Sequence, residues 1–95
     1  QPNFALEVYK GLMDTIPDKN LGDRADLLYR TATLEESLDA KQKALELYEK
    51  IIELTGSVGD GDTDSREAKI RQMALWKANL LEWLLQIGKA LPADD

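Results

Sequence analysis

The sequence predicts an all-α protein, and three observations lead to that prediction. Apolar residues recur at three- and four-residue steps along most of the chain, and no stretch of alternating β-branched residues bounded by turns favours a strand. The 95 residues are 43% hydrophobic and 32% charged, which suits one domain with a single core. Residues that typically end helices divide the chain into separate helical segments. We therefore expect one domain over residues 1–95, with about four helices in antiparallel pairs and a long helix at the carboxyl end.

The first helix is predicted over about residues 3–15, with Pro17 as its stop signal. Gly11 lies inside it, and because glycine costs up to about 1 kcal/mol against alanine in a helix, its presence suggests a close helix contact at that point. The residues at helical spacing that we expect on its inward face are Ala5, Val8, Tyr9, Leu12 and Ile16.

The second helix is predicted to begin near residue 22 or 23 and to end near residue 37 or 38. Asp39 can cap the third helix, which runs to about Thr55, and Gly56 supplies its carboxyl-terminal stop. The inward face of the third helix is expected to consist of Ala44, Tyr48, Ile51 and Ile52. Because the turn between these helices is short, we expect them to be antiparallel neighbours.

Residues 57–63 form the clear loop of the sequence, and it is acidic. Its carboxylates alternate at Asp60, Asp62 and Asp64, as they do at the start of calcium-binding loops. However, Ser65 stands where the sharp-turn glycine belongs, and Arg71 stands where the closing glutamate belongs. We therefore expect no metal ion here, but an acidic segment preceding the next helix.

The fourth helix, residues 64–91, begins at Asp64 or Ser65 and spans about 27 residues, or roughly 40 Å. Its apolar surface is wider than a helix needs to cover one neighbouring pair. Self-association is predicted for the apolar stripe formed by Trp76, Leu80, Trp83, Leu84 and Ile87. The cover for this stripe could be a second copy of the chain, further repeats of a longer parent, or a partner protein. The alternative is that the tryptophans fill the core, and for at least one of them we favour that location.

An internal repeat relates the first and third helices. Ala5-Leu6-Glu7-Val8-Tyr9 is matched 39 positions later by Ala44-Leu45-Glu46-Leu47-Tyr48. In the same register Leu12 falls against Ile51, and Pro17 falls against Gly56. This order of small residue, aromatic residue, aliphatic residue and helix breaker resembles the second helix of the tetratricopeptide repeat (TPR) family, whose period is about 34 residues. The resemblance covers residues 4–56, which would be one complete unit preceded by the second helix of another.

The resemblance implies a right-handed stack of helix pairs that acts as a scaffold for protein partners. In this family ligands usually contact the first helix of each unit, and the matching residues here are Asp26, Tyr29, Thr33 and Glu36. A basic or polar-aromatic peptide would complement this acidic face. The alternative is an unrelated four-helix domain whose long last helix forms a homodimer.

The composition excludes several classes of function. The chain contains no Cys and no His, and its net charge is −6, which disfavours nucleic acid and anionic membrane surfaces as partners. No catalytic or nucleotide-binding motif is present, so we expect neither an enzyme nor a cofactor. We also expect no membrane insertion, because no stretch of about 20 apolar residues occurs.

The compartment cannot be read from the first residue, although the cytoplasm is favoured over the periplasm or secretion. Because the chain opens at Gln1, we expect a mature form or a fragment of a longer protein.

Overall fold

The computed structural model describes residues 2–16, 20–58 and 64–90, apart from the side chains of residues 2, 3, 89 and 90. Its helices are α1 (Pro2–Met13), α2 (Leu21–Ser37), α3 (Lys41–Leu54) and α4 (Arg66–Ala90). Within these ranges no strand occurs, which confirms the predicted all-α class with four helices. The predicted stop at Pro17, the calcium-like residues 60–63 and residue 91 lie outside the described ranges.

The core is built around α3, which packs against both α2 and α4, while α1 packs against α2. Ala32 of α2 and Ala44 of α3 are fully buried, and their small side chains let the two helices approach closely. Tyr48 and Ile51 are also fully buried, as the spacing of α3 predicts. The core residues are Ala25, Ala32, Ala44, Leu45, Tyr48, Ile51, Ile70, Ala74, Ala78 and Leu81.

The turn between α2 and α3 differs from the sequence prediction, because Asp39 does not cap α3. The residue before α3 is Ala40, and no side chain caps that helix. Asp39 instead ends α2 at a φ of 60°, in the left-handed region that Asp tolerates better than most residues. The backbone N–H groups of Asp39 and Ala40 donate to the carbonyls of Glu36 and Glu35, at 3.0 and 2.9 Å. This is a Schellman motif, with Asp39 where glycine is usual.

One hydrogen bond caps the start of α4, and two others further along join this helix to the end of α3. Ser65 caps α4 by accepting a hydrogen bond from the Ala68 backbone N–H at 3.1 Å. Further along, the Arg71 guanidinium donates to the Ile52 carbonyl at 2.6 Å and to the Thr55 hydroxyl at 3.1 Å. A cation therefore satisfies the carboxyl-terminal end of α3, where carbonyl groups lack helical partners.

The close helix contact suggested for Gly11 does not occur. Gly11 is exposed, and a Cβ atom added to it would meet nothing within 4 Å. Gly22, in contrast, is buried where α2 meets α4, and an added Cβ would lie 2.7 Å from the Glu67 Oε1 atom. The sequence signal for close packing therefore belongs to Gly22 and not to Gly11.

We predict that Gly11→Ala stabilises the protein by about 0.5–1 kcal/mol, because alanine removes the entropic cost of glycine and clashes with nothing. Urea unfolding followed by circular dichroism measures this change. Gly22→Ala is the matched control. Its free energy of unfolding should rise less than that of Gly11→Ala, or fall, because the Glu67 side chain must move to make room for the added Cβ. Equal gains from both substitutions would contradict this account.

We also predict that Arg71→Ala lowers the free energy of unfolding by about 1.5–3 kcal/mol, the usual range for hydrogen bonds made by a charged group. Arg66→Ala is the control on the same helix. Arg66 pairs with Asp23 and Asp26 at 2.9 and 3.3 Å, but Arg66 and Asp23 are about half exposed and water screens these pairs, so this loss should be clearly smaller. If the two variants unfold at the same urea concentration, the Arg71 contacts do not stabilise the α3 terminus as proposed.

Candidate functional site

The position of α4 against α3 decides which of its residues reach solvent. The inner row of α4 is almost fully buried, and two of its members are the alanines Ala74 and Ala78, at 0% and 6% exposure. Ile70 and Leu81 complete this row at 5% and 2%. Since α4 turns by about 100° per residue, burying this row directs the tryptophans away from the core.

The outward side of α4 carries an apolar row that we name the α4 seam: Met73, Trp76, Leu80, Trp83 and Ile87. Trp76 is 62% exposed and Trp83 is 58% exposed. Our expectation that at least one tryptophan fills the core is therefore wrong. The physical reason is the inner alanine row, because the close approach of α3 that it permits leaves no room for an indole there.

The residues of the α4 seam alternate at steps of three and four. These are the spacings of the a and d positions of a coiled-coil heptad. Side chains at those positions project from one side of a helix and pack between the side chains of a facing helix. From Met73 to Ile87 the seam extends about 21 Å along the axis, or nearly four helical turns. Its shape and length therefore match one further helix.

The residues predicted to mediate self-association lie on the same side of α4 in the structure. Trp76, Leu80, Trp83 and Ile87 belong to the α4 seam, and Leu84 lies beside it. Leu80, Leu84 and Ile87 are half-buried, which leaves the two indoles as the most exposed part of this surface. Self-association itself stays a prediction.

The predicted docking residues of α2 share one face of that helix, but most of them already have partners within the chain. Asp26 accepts a hydrogen bond from the Arg30 Nε–H at 3.1 Å and pairs with Arg66 at 3.3 Å. The Thr33 hydroxyl donates to the carbonyl of Arg30 at 2.9 Å. Asp26 also lines an open crevice between α1, α2 and the start of α4.

Tyr29 and Glu36 meet at a partly buried polar cluster with Tyr48 of α3 and Lys77 of α4. The rings of Tyr29 and Tyr48 pack edge to face with their centroids 5.7 Å apart. The Tyr48 hydroxyl donates to the Glu36 carboxylate, and the Lys77 ammonium donates to the same carboxylate at 3.3 Å. Burial and the hydrogen bond to Glu36 both raise the pKa of Tyr48 above that of an ordinary tyrosine.

Lys77 connects this cluster to the α4 seam. Its ammonium lies 5.5 Å from the centroid of the Trp76 ring while it pairs with Glu36. Eleven residues earlier on α4, Arg66 pairs with Asp26 of the same α2 face. The predicted α2 face and the α4 seam are thus adjacent surfaces joined by ion pairs, a relation that no sequence spacing indicated.

A second exposed apolar row was missed on α1. Phe4, Val8 and Leu12 are 68%, 41% and 45% exposed, although we expected Val8 and Leu12 to face inward. The reason is that α1 packs against α2 with one side, which carries the half-buried Ala5 and Tyr9, while Ile16 follows the end of the helix. The four-residue spacing from Phe4 could have revealed this row, because it forms a stripe distinct from the inward one.

Other kinds of site were sought in the described part of the chain. Among these residues no group of three or more acidic side chains is placed to hold a metal ion. None of the helices in the described ranges has both the length and the apolar character needed to span a membrane. Comparisons with protein-family models, with curated proteins and with solved structures found no match to this chain.

The raised pKa of Tyr48 predicts how stability changes at alkaline pH. The fold favours the neutral hydroxyl, so its contribution is complete below the pKa of an unfolded tyrosine, about 10, and is lost progressively as the pH rises beyond that value. Tyr48→Phe should be less stable than the parent at pH 8, and this difference should narrow above pH 10. Urea unfolding between pH 8 and pH 11 measures it. A difference that stays constant over this interval would show that the cluster does not hold Tyr48 neutral, and Tyr9→Phe on α1 controls for loss of a tyrosine hydroxyl.

Proposed function

We propose that this protein is a non-catalytic protein–protein interaction module with a TPR-like architecture, and that it docks a helical segment of a protein partner on the α4 seam. The observation that carries this proposal is the pair of tryptophans exposed to 62% and 58% on one apolar row. A contiguous apolar patch of this kind is uncommon on a monomer surface and usually marks an interface. Tryptophan is also the residue most enriched among those that dominate binding energy.

Packing within the described helices supports the TPR-like part of the proposal. The small residues Ala32 and Ala44 and the aromatic Tyr48 are fully buried between α2 and α3, as the resemblance requires of one helix pair. This pair would be antiparallel. Ion pairs join Asp26 to Arg66 and Glu36 to Lys77. The earlier residue of α2 therefore pairs with the earlier residue of α4, and the later residue with the later one. Two helices in that relation suit the first helices of successive stacked units.

The shape of the α4 seam favours a protein segment over a small molecule. Its apolar side chains project from one helix with the three-and-four spacing of a coiled-coil face, and small-molecule sites are usually concave. An amphipathic helix laid along this row would cover all five side chains at once.

We predict that the α4 seam binds a synthetic 21-residue helical peptide with Leu at every a and d position, Lys at the remaining positions and no Trp. Both indoles would lose water on binding, so the fluorescence of the protein should shift to shorter wavelength. The titration, at submicromolar protein, should give a dissociation constant in the micromolar range, about −8 kcal/mol. An unchanged spectrum at 100 μM peptide, with the peptide shown to be helical, would refute the proposed function.

Trp83→Glu tests whether the shift comes from the α4 seam, because Trp76 stays as the reporter. Binding should weaken at least tenfold, about 1.4 kcal/mol, since an indole is lost and a carboxylate would be buried. Gln42→Glu is the matched control: it adds the same charge at an exposed position of α3. A response to net charge alone would tighten binding of the cationic peptide to both variants, and equal weakening by both substitutions would show that the loss does not come from the α4 seam.

A further inference from the structure

We infer that the helix docked on the α4 seam is α4 of a second copy of this chain, running antiparallel to the first. The inference rests on the proposed function, because it names the occupant of the same surface. It is carried by the absence of α4 carboxylates from the margins of the seam, by the order of its large and small side chains, and by the surface area that the single chain leaves exposed.

The margins of the α4 seam lack the acidic charge that dominates the rest of the molecule. The chain has 18 acidic and 12 basic residues, a net charge of −6, so two copies repel each other unless their contact excludes carboxylates. Along one margin the seam is flanked by the amides Gln72, Asn79 and Gln86, and along the other by Lys77 and Leu84. No carboxylate of α4 occupies a flanking position there. A strongly basic partner would gain nothing from such a margin, whereas a second copy meets no repulsion at it.

The order of side chains in the α4 seam favours the antiparallel direction. In a parallel pair, Trp76 would lie in the same layer as its counterpart, and so would Trp83, which stacks indole against indole. In an antiparallel pair, a positions face d positions: Trp83 would meet Leu80 of the other copy, and Trp76 would meet its Ile87. Each of the four layers that these two pairings form then holds one indole and one aliphatic side chain, and such alternation of large and small residues fills a helix interface more evenly.

In the antiparallel pairing that places Trp83 opposite Leu80, the polar side chains at the margins also face suitable partners in the other copy. Asn79 would lie opposite Gln86 of the other copy, where the two amides can exchange hydrogen bonds. Lys77 would lie opposite Leu84 of the other copy and not opposite another Lys77. The Lys77–Glu36 pair, whose side chains are 23% and 22% exposed, stays intact beneath the interface.

The exposed surface of the single chain is large enough for such a contact. Its accessible area is 6483 Å². A folded monomer of this size exposes about 5500 Å², so this chain exposes roughly 1000 Å² more. A stable interface removes about 800 Å² from each partner. Trp76 and Trp83, at 62% and 58% exposure, place part of this excess on the α4 seam.

Sedimentation equilibrium of the purified chain at 1–100 μM tests the inference. We expect a dimer within this range, and Trp83→Glu should raise its dissociation constant at least about a hundredfold, because each substitution occurs twice in the dimer. Trp76→Glu should act in the same way, and circular dichroism should show unchanged helix content in both. Gln42→Glu, with the same added charge away from α4, should leave the dimer intact.

The outcomes separate this inference from the proposed function. A monomer at 100 μM whose fluorescence still shifts with the leucine peptide would overturn the second copy as occupant and leave the docking function standing. A monomer that also ignores the peptide would overturn both. A dimer that Trp83→Glu and Trp76→Glu leave unaffected would place the contact elsewhere and overturn the inference.

The direction of pairing has its own measurement, which the absence of Cys from the chain makes simple. A spin label on Lys69→Cys, an exposed position near the start of α4, should report a distance of about 40 Å between copies in the antiparallel dimer, from the 1.5 Å rise per residue. A parallel dimer would bring the labels to about 10–15 Å, since helix axes pack 8–10 Å apart. The short distance would overturn the antiparallel arrangement.

Discussion

The hydrogen bond from the buried Tyr48 hydroxyl to the Glu36 carboxylate determines how the other elements are placed. Tyr48 is fully buried, and a buried hydroxyl without a partner would cost more than the bond contributes, so α3 must bring it to an acceptor on α2. Glu36 then carries a charge that is mostly shielded from water, and Lys77 of α4 supplies the opposite charge at 3.3 Å. Three helices thus meet at one carboxylate. Trp76 lies about 100° around the helix from Lys77, on the outer side of α4, and its ring centroid is 5.5 Å from the Lys77 ammonium.

Periodicity was sufficient to predict the elements of the fold, because helix formation responds to local patterns. The number of helices, the inward face of α3 at Ala44, Tyr48 and Ile51, and the presence of two apolar rows on α4 could all be read from spacing. The spacing could not decide which of two apolar rows on α4 faces the core. That choice depends on α3, whose close approach selects the row containing Ala74 and Ala78 over the row with the larger side chains. Tertiary packing, and not hydrophobicity, therefore set the exposure of the indoles.

The remaining differences from the sequence prediction arise from contacts between residues far apart in the chain. Asp39 resembles a helix cap, yet the Schellman motif at the end of α2 needs a residue that accepts a positive φ, and Asp39 takes that position. Arg71 was considered as a residue that breaks the calcium-loop pattern, and its hydrogen bond to the Ile52 carbonyl at the end of α3 could not be read from spacing. The docking face on α2 was inferred from a resemblance, which gives residue positions but not their partners. Two of its four members pair with residues far along the chain: Asp26 with Arg66, 40 residues away, and Glu36 with Lys77, 41 residues away.

An interface on α4 has a physical advantage over one on α1, although both helices expose an apolar row. The α1 row, with Phe4 and Leu12, lies on a helix that packs against α2 with one side, so few contacts oppose its local opening. In contrast, α4 packs on both α2 and α3 and is joined to them by Arg66, Arg71 and Lys77. Binding on a helix that is already ordered costs little conformational entropy, and a greater share of the contact energy then appears as affinity. Preorganisation therefore favours the α4 seam, where the indoles are held in place before any partner arrives.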